Sequence, residues 1–246
     1  MNSYLRSIVL AMGWPALAVV SLAMAVGRGD PDPFGVMLLA LSTAAAYGLD
    51  RWVDHRKGEA ELFRRMLLIA VIFCVVLGGA IAVTSWWRFS ICAVLGAISA
   101  AYVPLKRFIP KNILTSISWT VGACTLPFST PPNLHHAYWG AVTCVFMIMV
   151  ANTVLCDIPD VEEDRKAGVR GITPRFGAKA GALLVAVSSG IGVITGIFTS
   201  HYPLAFTSAM LAPLGFRLAR DPKNGTLRKA GDLIVTFLPG PLSLLF

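Results

Sequence analysis

Residues 112–156 read NILTSISWTVGACTLPFSTPPNLHHAYWGAVTCVFMIMVANTVLC, without a single Asp, Glu, Lys or Arg. A helix needs about 20 mostly apolar residues to cross a hydrocarbon core of roughly 30 Å. The stretch is long enough for two crossings, divided by the Pro- and Asn-containing turn around 129–136. Outward from it the same signature recurs: 7–26, 34–49, 66–87, 180–216 and 233–246 are also free of charge. Across all 246 residues, 56% are hydrophobic and only 14% charged, against about 25% charged in an ordinary soluble domain. A water-soluble enzyme is excluded. The fold class expected is an all-α polytopic membrane protein.

Charge clusters and Gly/Pro turns mark nine spans, near 5–26, 34–50, 66–84, 88–105, 112–128, 137–156, 178–199, 202–217 and 231–246. The last contains Pro239, and its uncharged part would reach only about 21 Å as a helix. The apolar run after Arg6 has no small-residue cleavage site before the Gly27–Pro33 turn, so it reads as a retained first span. Nineteen of the 21 Lys and Arg residues lie at the N-terminus or in the loops after even-numbered spans; Arg28 and Arg88 are the two on the other side. Positive loops stay inside, which predicts a cytoplasmic N-terminus and cytoplasmic even loops. The net charge of +8 has this source, and no nucleic-acid motif accompanies it. Cys74, Cys92, Cys124, Cys144 and Cys156 lack metal-ligand spacing and read as packing residues.

The chemistry-bearing residues gather at two cytoplasmic helix ends. Asp50 and Asp54 are four apart, so on a helix they share a face one turn apart. Asp157, Asp160 and Asp164 would form a second stripe if the sixth helix continued, although Pro159 argues for a kink or a fresh start near Asp157. Both motifs run on into basic residues and a Gly, Asp50–Gly58 and Asp160–Gly168. This echo four spans apart divides the single domain, 1–246, into two four-helix halves, roughly 1–111 and 112–230, plus a last helix at 231–246. Like charges at such spacings repel unless a cation lies between them. Magnesium takes carboxylate and phosphate oxygens, so two acidic stripes suit a Mg2+-bound diphosphate, with Lys106, Arg165, Lys166 and Arg170 as candidate phosphate partners. A lone Asp-x-x-x-Asp in a loop is ordinarily just solvated; the paired occurrence is what favours a shared metal site.

These segments resemble a family. Asp50-Arg-Trp-Val-Asp54 and Asp157-Ile-Pro-Asp160-Val-Glu-Glu-Asp164-Arg-Lys-Ala-Gly168 look like the two Asp-rich motifs of the UbiA superfamily of intramembrane prenyltransferases, and Tyr102-Val-Pro-Leu-Lys106 is similar to its Tyr-x-x-x-Lys element. The resemblance implies nine transmembrane helices around a central cavity. It makes Asp50, Asp54, Asp160 and Asp164 metal–diphosphate ligands with Asp157 a further one, and sets Tyr102 and Lys106 at the diphosphate or the pocket mouth. Arg51 and Asn152 join the candidate substrate contacts; for Asn152 a helix–helix hydrogen bond is an equal alternative. Ala46 stands where the family usually carries Asn, leaving Tyr47, Thr43 or water as substitutes, and the loop after the first motif is short.

Ionisation of an allylic diphosphate needs neutralised phosphate charge and a dry cavity for the resulting cation. Trp14, Trp52, Trp119, Phe128 and Phe146 could stabilise that cation, though each on its own reads first as packing. Trp86, Trp87, Tyr138 and Trp139 read as interfacial belt residues, and His135, His136 and His201 lie on the side away from the aspartates. The expected reaction is Mg2+-dependent transfer of a prenyl group from an isoprenyl diphosphate to a lipophilic, in the first instance aromatic, acceptor. Its near rival is a terpene cyclase of the same superfamily, which closes the cation on itself without an acceptor. A cation transporter is disfavoured, because no ionisable residue sits mid-span. The expected location is a bacterial or archaeal cell membrane. Chain length, acceptor and oligomeric state leave no mark in the sequence.

Overall fold

Helices α1 (Ser3–Val26), α2 (Pro33–Asp54), α3 (Glu61–Ala82) and α4 (Trp86–Ala100) build the first half of a computed structural model that describes residues 3–28, 30–54, 61–101, 105, 109–132, 135–166 and 171–245. The second half contains α5 (Lys111–Thr125), α6 (His136–Asp157), two short helices α7 (Val161–Lys166) and α8 (Ile172–Phe176), then α9 (Ala178–Phe198) and α10 (Tyr202–Arg220). The chain ends in α11 (Gly225–Phe237) and α12 (Pro239–Ser243). Among the described residues five helices, within α1, α2, α3, α6 and α9, are long and apolar enough to cross a membrane. Together with outward-facing Ile69, Phe73 and Val76 on α3 and Leu183, Val187 and Ile194 on α9, they make the chain an integral membrane protein. Such faces are stable only against lipid.

The expected ninth span is not one helix. Leu238 ends α11 and Pro239 starts α12, because a proline ring cannot continue an α-helical hydrogen-bond ladder. The Gly240 N–H instead donates to Ser21 Oγ at 2.8 Å, which pins α12 against α1. Pro159 acts in the same way on the second acidic stripe. Helix α6 stops at Asp157, and a turn through Ile158–Asp160 leads to the separate helix α7.

Helix α6 is the central post. Tyr138, Ala141, Cys144, Val145, Ile148, Met149, Ala151, Val154 and Leu155 are all buried, more of its length than in any other apolar helix described, although Trp139 near its start is exposed. It packs against α5, α9, α10 and α11. Lipid offers no hydrophobic drive between helices, so close backbone approach must supply dispersion contact. Gly140 permits one such approach: a Cβ there would run into the Thr199 side chain. Gly196 does the same for Ala205 between α9 and α10. Tyr138 is therefore buried and donates to Cys124 O at 3.2 Å rather than standing in an interfacial belt. His201 bonds Thr199 at 3.0 Å, and burial, followed by the Arg28 charge, pushes its imidazole below the usual range.

At the end of the bundle opposite the acidic motifs, the buried Arg88 of α4 forms an ion pair with the half-buried Asp32, whose carboxylate also accepts the Gly35 N–H at 2.8 Å at the start of α2. This pair ties the otherwise lightly packed α4 to the bundle. Arg88→Met should strand the Asp32 carboxylate and cost about 3–5 kcal/mol, read as a lower melting temperature in detergent. The double variant with Asp32→Asn should lose less than the single one.

Candidate active site

A cavity of about 470 Å³ lies between α2, α3, α4 and α5, with Val19 of α1 closing one side. Its walls are small or apolar residues, among them Ala46, Gly79, Ala82, Gly96 and Gly122. The polar lining is sparse, with Thr43 and Tyr47 on α2, Ser99 on α4, and Ser118 and Trp119 on α5. The Ser42 and Ser118 hydroxyls donate back to Leu39 O and Leu114 O, so they offer the cavity little free hydrogen-bonding capacity. Tyr47 and Trp119 meet edge to face at 6.0 Å between ring centroids. Ala46, Thr43 and Tyr47 therefore all border the chamber, and the position expected to carry Asn is apolar.

The same end of the bundle carries the charges. Asp50 is one turn beyond Ala46 and Tyr47 on α2 and is exposed. Asp54 closes α2; its side chain, together with Tyr102, Lys106 and Arg170, lies outside the described residues. Tyr47 is within electrostatic reach of Asp50, Cys156 and Asp232, so the ends of α2 and α6 and the middle of α11 border the same region. Asn152 Nδ2 donates to Asp232 Oδ1 at 3.5 Å, and Cys156 Sγ is 3.8 Å from the same oxygen. Asn152 thus makes a helix–helix contact, while its Oδ1 is buried without a partner.

The tightest cluster is built where α5 begins. Lys111 Nζ lies 2.9 Å from Asp157 Oδ1 and 3.1 Å from Asp164 Oδ2. Asn112 Nδ2 donates to the other oxygen of Asp157 at 2.9 Å. Asp157 and Asp164 converge although the helix breaks between them. The turn at Pro159 is held by Asp160 N–H to Asp157 O at 3.2 Å, and α7 opens with Asp164 N–H to Asp160 O at 2.8 Å. The Asp157 side chain is 9% exposed, against 18% for Asp164 and 32% for Lys111, so the cluster grades from protein interior to its mouth.

Not every candidate joins the cluster. Arg165 bonds Glu162 Oε1 at 2.8 Å and Pro174 O at 3.1 Å, away from the aspartates. Arg51 and Lys166 are exposed, and Asp160 is half-buried. Of the aromatic candidates, Trp119 lines the cavity. Trp14 packs on Phe237, Trp52 carries the Arg64 guanidinium over its ring, and Phe128 packs on Tyr138. Lys111, Asn112 and Asp232 went unrecognised in the sequence. A signal existed for Lys111, since a cation in the first turn opposes the helix dipole and so calls for an acidic partner.

Among the described residues no three His, Cys, Asp or Glu side chains are grouped to hold a metal ion. The donor chemistry nevertheless fits a hard cation. Asp157 and Asp164 already share one positive charge, and Mg2+ at a phosphate site is typically held by only one or two carboxylates.

The UbiA prenyltransferase family matches residues 12–231. Digeranylgeranylglyceryl phosphate synthase of Pyrococcus furiosus is 22% identical over 181 residues, which are 61% of this chain and 65% of that protein. The match thus spans just under two-thirds of that curated relative. Among solved structures, the apo UbiA homolog from Aeropyrum pernix superposes with a TM-score of 0.61 at 14% identity, covering 100% of this chain and 98% of its own. A UbiA homolog from Archaeoglobus fulgidus bound to Cd2+ gives 0.57 at 16% identity, covering 96% and 99%. At such identities the likeness is one of fold.

Asn112→Ala should leave one buried oxygen of Asp157 without its donor and cost about 1–3 kcal/mol, measured as reduced thermal stability in detergent. Asn112→Asp, which adds a third carboxylate, should cost more.

Proposed function

The chain belongs to the UbiA prenyltransferase family, and from this we propose that it is a Mg2+-dependent intramembrane prenyltransferase acting on an isoprenyl diphosphate. One observation carries the reading. Helix α5 bears Lys111 and Asn112 in the carboxylate cluster and, about 10–16 Å further along its axis, Trp119 and Gly122 in the cavity wall. A charged grip joined to an apolar chamber suits a ligand with an ionic head and a hydrocarbon tail. Within this reading the chain crosses nine times, with α11 and α12 together making the last crossing and the chamber set among α1 to α5 rather than at the centre of all nine, and the N-terminus and acidic end face the cytoplasm.

Asp50, Asp54, Asp157, Asp160 and Asp164 would hold the metal and, through it, the diphosphate, with Tyr102, Lys106, Lys166 and Arg170 as candidate partners. Bound Mg2+ supplies hard positive charge that stabilises the departing diphosphate. Lys111 adds an ammonium at the same place. The carbon–oxygen bond breaks at the cavity mouth, diphosphate leaves with the electron pair, and the allylic cation stays among apolar walls that exclude water. Tyr47 and Trp119 present aromatic faces there, able to stabilise a cation. The acceptor's nucleophilic atom then forms the new bond and gives up its proton. The proposed acceptor is lipophilic; an aromatic ring fits the same apolar walls.

Cyclisation is the second reading, favoured by Ala46 in place of a polar ligand and by the aromatic pair on the chamber wall. Incubation with Mg2+ and geranyl, farnesyl or geranylgeranyl diphosphate separates the two. Transfer predicts turnover only when a lipid-soluble acceptor is added, and hydrocarbon or alcohol products without acceptor would establish cyclisation. In either case Asp50→Ala and Asp164→Ala should each lower turnover by about a hundredfold. Unchanged diphosphate release in both would remove the basis of the reading.

A Cβ at Gly79 meets nothing within 4 Å, and the residue lines the chamber. Gly79→Phe should therefore fold normally and shift preference toward shorter donors, seen as a changed ratio of turnover on geranyl and geranylgeranyl diphosphates.

A further inference from the structure

We propose that Lys111 is an internal counter-ion that competes with the metal for Asp157 and Asp164 and is drawn off by an arriving diphosphate, so that the two ligands bind cooperatively. The proposal rests on the prenyltransferase reading of the site and concerns a residue outside the acidic motifs.

The geometry is specific. One ammonium sits 2.9 Å and 3.1 Å from carboxylate oxygens on different helices, while Asn112 occupies the second oxygen of Asp157. A divalent cation needs such oxygens at about 2.0–2.1 Å, so it cannot use them fully while the ammonium stays. Two positive charges in a half-buried site also repel each other strongly. Lys111 pays a standing cost for its place, since the first turn of a helix is electropositive; the two carboxylates compensate it. A diphosphate at the mouth changes the balance. It offers new anionic oxygens, and a lysine has a flexible four-carbon stem with which to reach them. Once the ammonium leaves, Asp157 and Asp164 are open to the metal. Linkage makes the effect reciprocal: bound diphosphate tightens metal binding, and bound metal tightens diphosphate binding.

Lys111 is 32% exposed and lies at the outer edge of the cluster, whereas Asp157 is deep. The ammonium can therefore move outward without repacking the core. In the absence of diphosphate the cluster is closed by its own cation, so the buried carboxylates are never left uncompensated.

The test uses the full-length protein in detergent micelles or nanodiscs, with Mn2+ standing in for Mg2+. Mn2+ binding without any phosphate is followed by loss of the free-ion paramagnetic resonance signal. Binding of inorganic pyrophosphate at saturating Mg2+ is measured separately by equilibrium dialysis. Lys111→Met should bind Mn2+ about tenfold more tightly than the wild type and pyrophosphate about tenfold more weakly. Lys111→Gln should behave alike, and Lys111→Arg, which keeps the charge, should retain the wild-type Mn2+ affinity. Opposite shifts of two affinities cannot come from a merely loosened fold, which would weaken both. Mn2+ affinity that is unchanged or weaker in Lys111→Met and Lys111→Gln overturns the proposal while leaving the metal–diphosphate site standing. Tighter Mn2+ binding by Lys111→Arg overturns it without reliance on either neutral variant. Failure of the wild type to bind Mn2+ even with pyrophosphate overturns both the proposal and the reading beneath it.

Discussion

A shared ammonium between two carboxylates, placed at the head of a greasy chamber, is the constraint on which the rest of this molecule turns. Lys111 lets Asp157 and Asp164 approach each other at the boundary between protein interior and solvent. Without a positive charge there, two acidic groups so close would repel, and the inner one would face the desolvation penalty of an unpaired ion. The requirement reaches far down the chain. It ties the start of α5 to the end of α6, where Pro159 breaks the helix, and to α7 beyond the turn, and these three elements bound the polar side of the site.

The remainder of the bundle serves to hold that polar end over an apolar space. Helix α6 is the most deeply buried of the long apolar helices described and packs against four neighbours, with small residues such as Gly140 and Gly196 allowing close contact where lipid provides no drive to associate. On the other side of the chamber α3 packs chiefly on α2 and α4 is only lightly attached, and the Arg88–Asp32 pair fastens α4 at the far end. The result is asymmetric: a densely packed half that carries Asp157 and Asp164, and a wall completed by the thinly packed α4 on the side of the cavity. Such a division suits a site that must keep its charges in place while admitting a hydrocarbon tail.

How much of this was legible in the sequence depended on whether the signal was local. The charge-free runs located the apolar helices, because crossing a bilayer imposes length and composition directly. The acidic motifs stood out as repelling charges at helical spacing. Physical interruptions were harder: Pro159 was seen as a possible break, yet the convergence of Asp157 and Asp164 across it depends on Lys111, 46 positions before Asp157 in the chain. The Asn152–Asp232 contact is likewise tertiary; no spacing rule connects residues on α6 and α11. Pro239 carried a visible warning for the last span, and the structure splits it into α11 and α12. Tyr138 was misread as a belt residue because its hydroxyl partner, Cys124 O, is also supplied by another helix.

The central claim is that the ionic grip and the apolar chamber serve one and the same ligand. It is tested most directly by photoaffinity labelling with a farnesyl diphosphate analogue that carries a diazirine at the far end of its tail. Peptide mapping should place the adducts on the chamber walls of α2, α3, α4 and α5, around Leu38, Gly79, Leu95 and Gly122, with labelling suppressed by excess unmodified farnesyl diphosphate. Adducts confined to the lipid-facing surfaces of α9 and α10, or insensitive to that competitor, would contradict it.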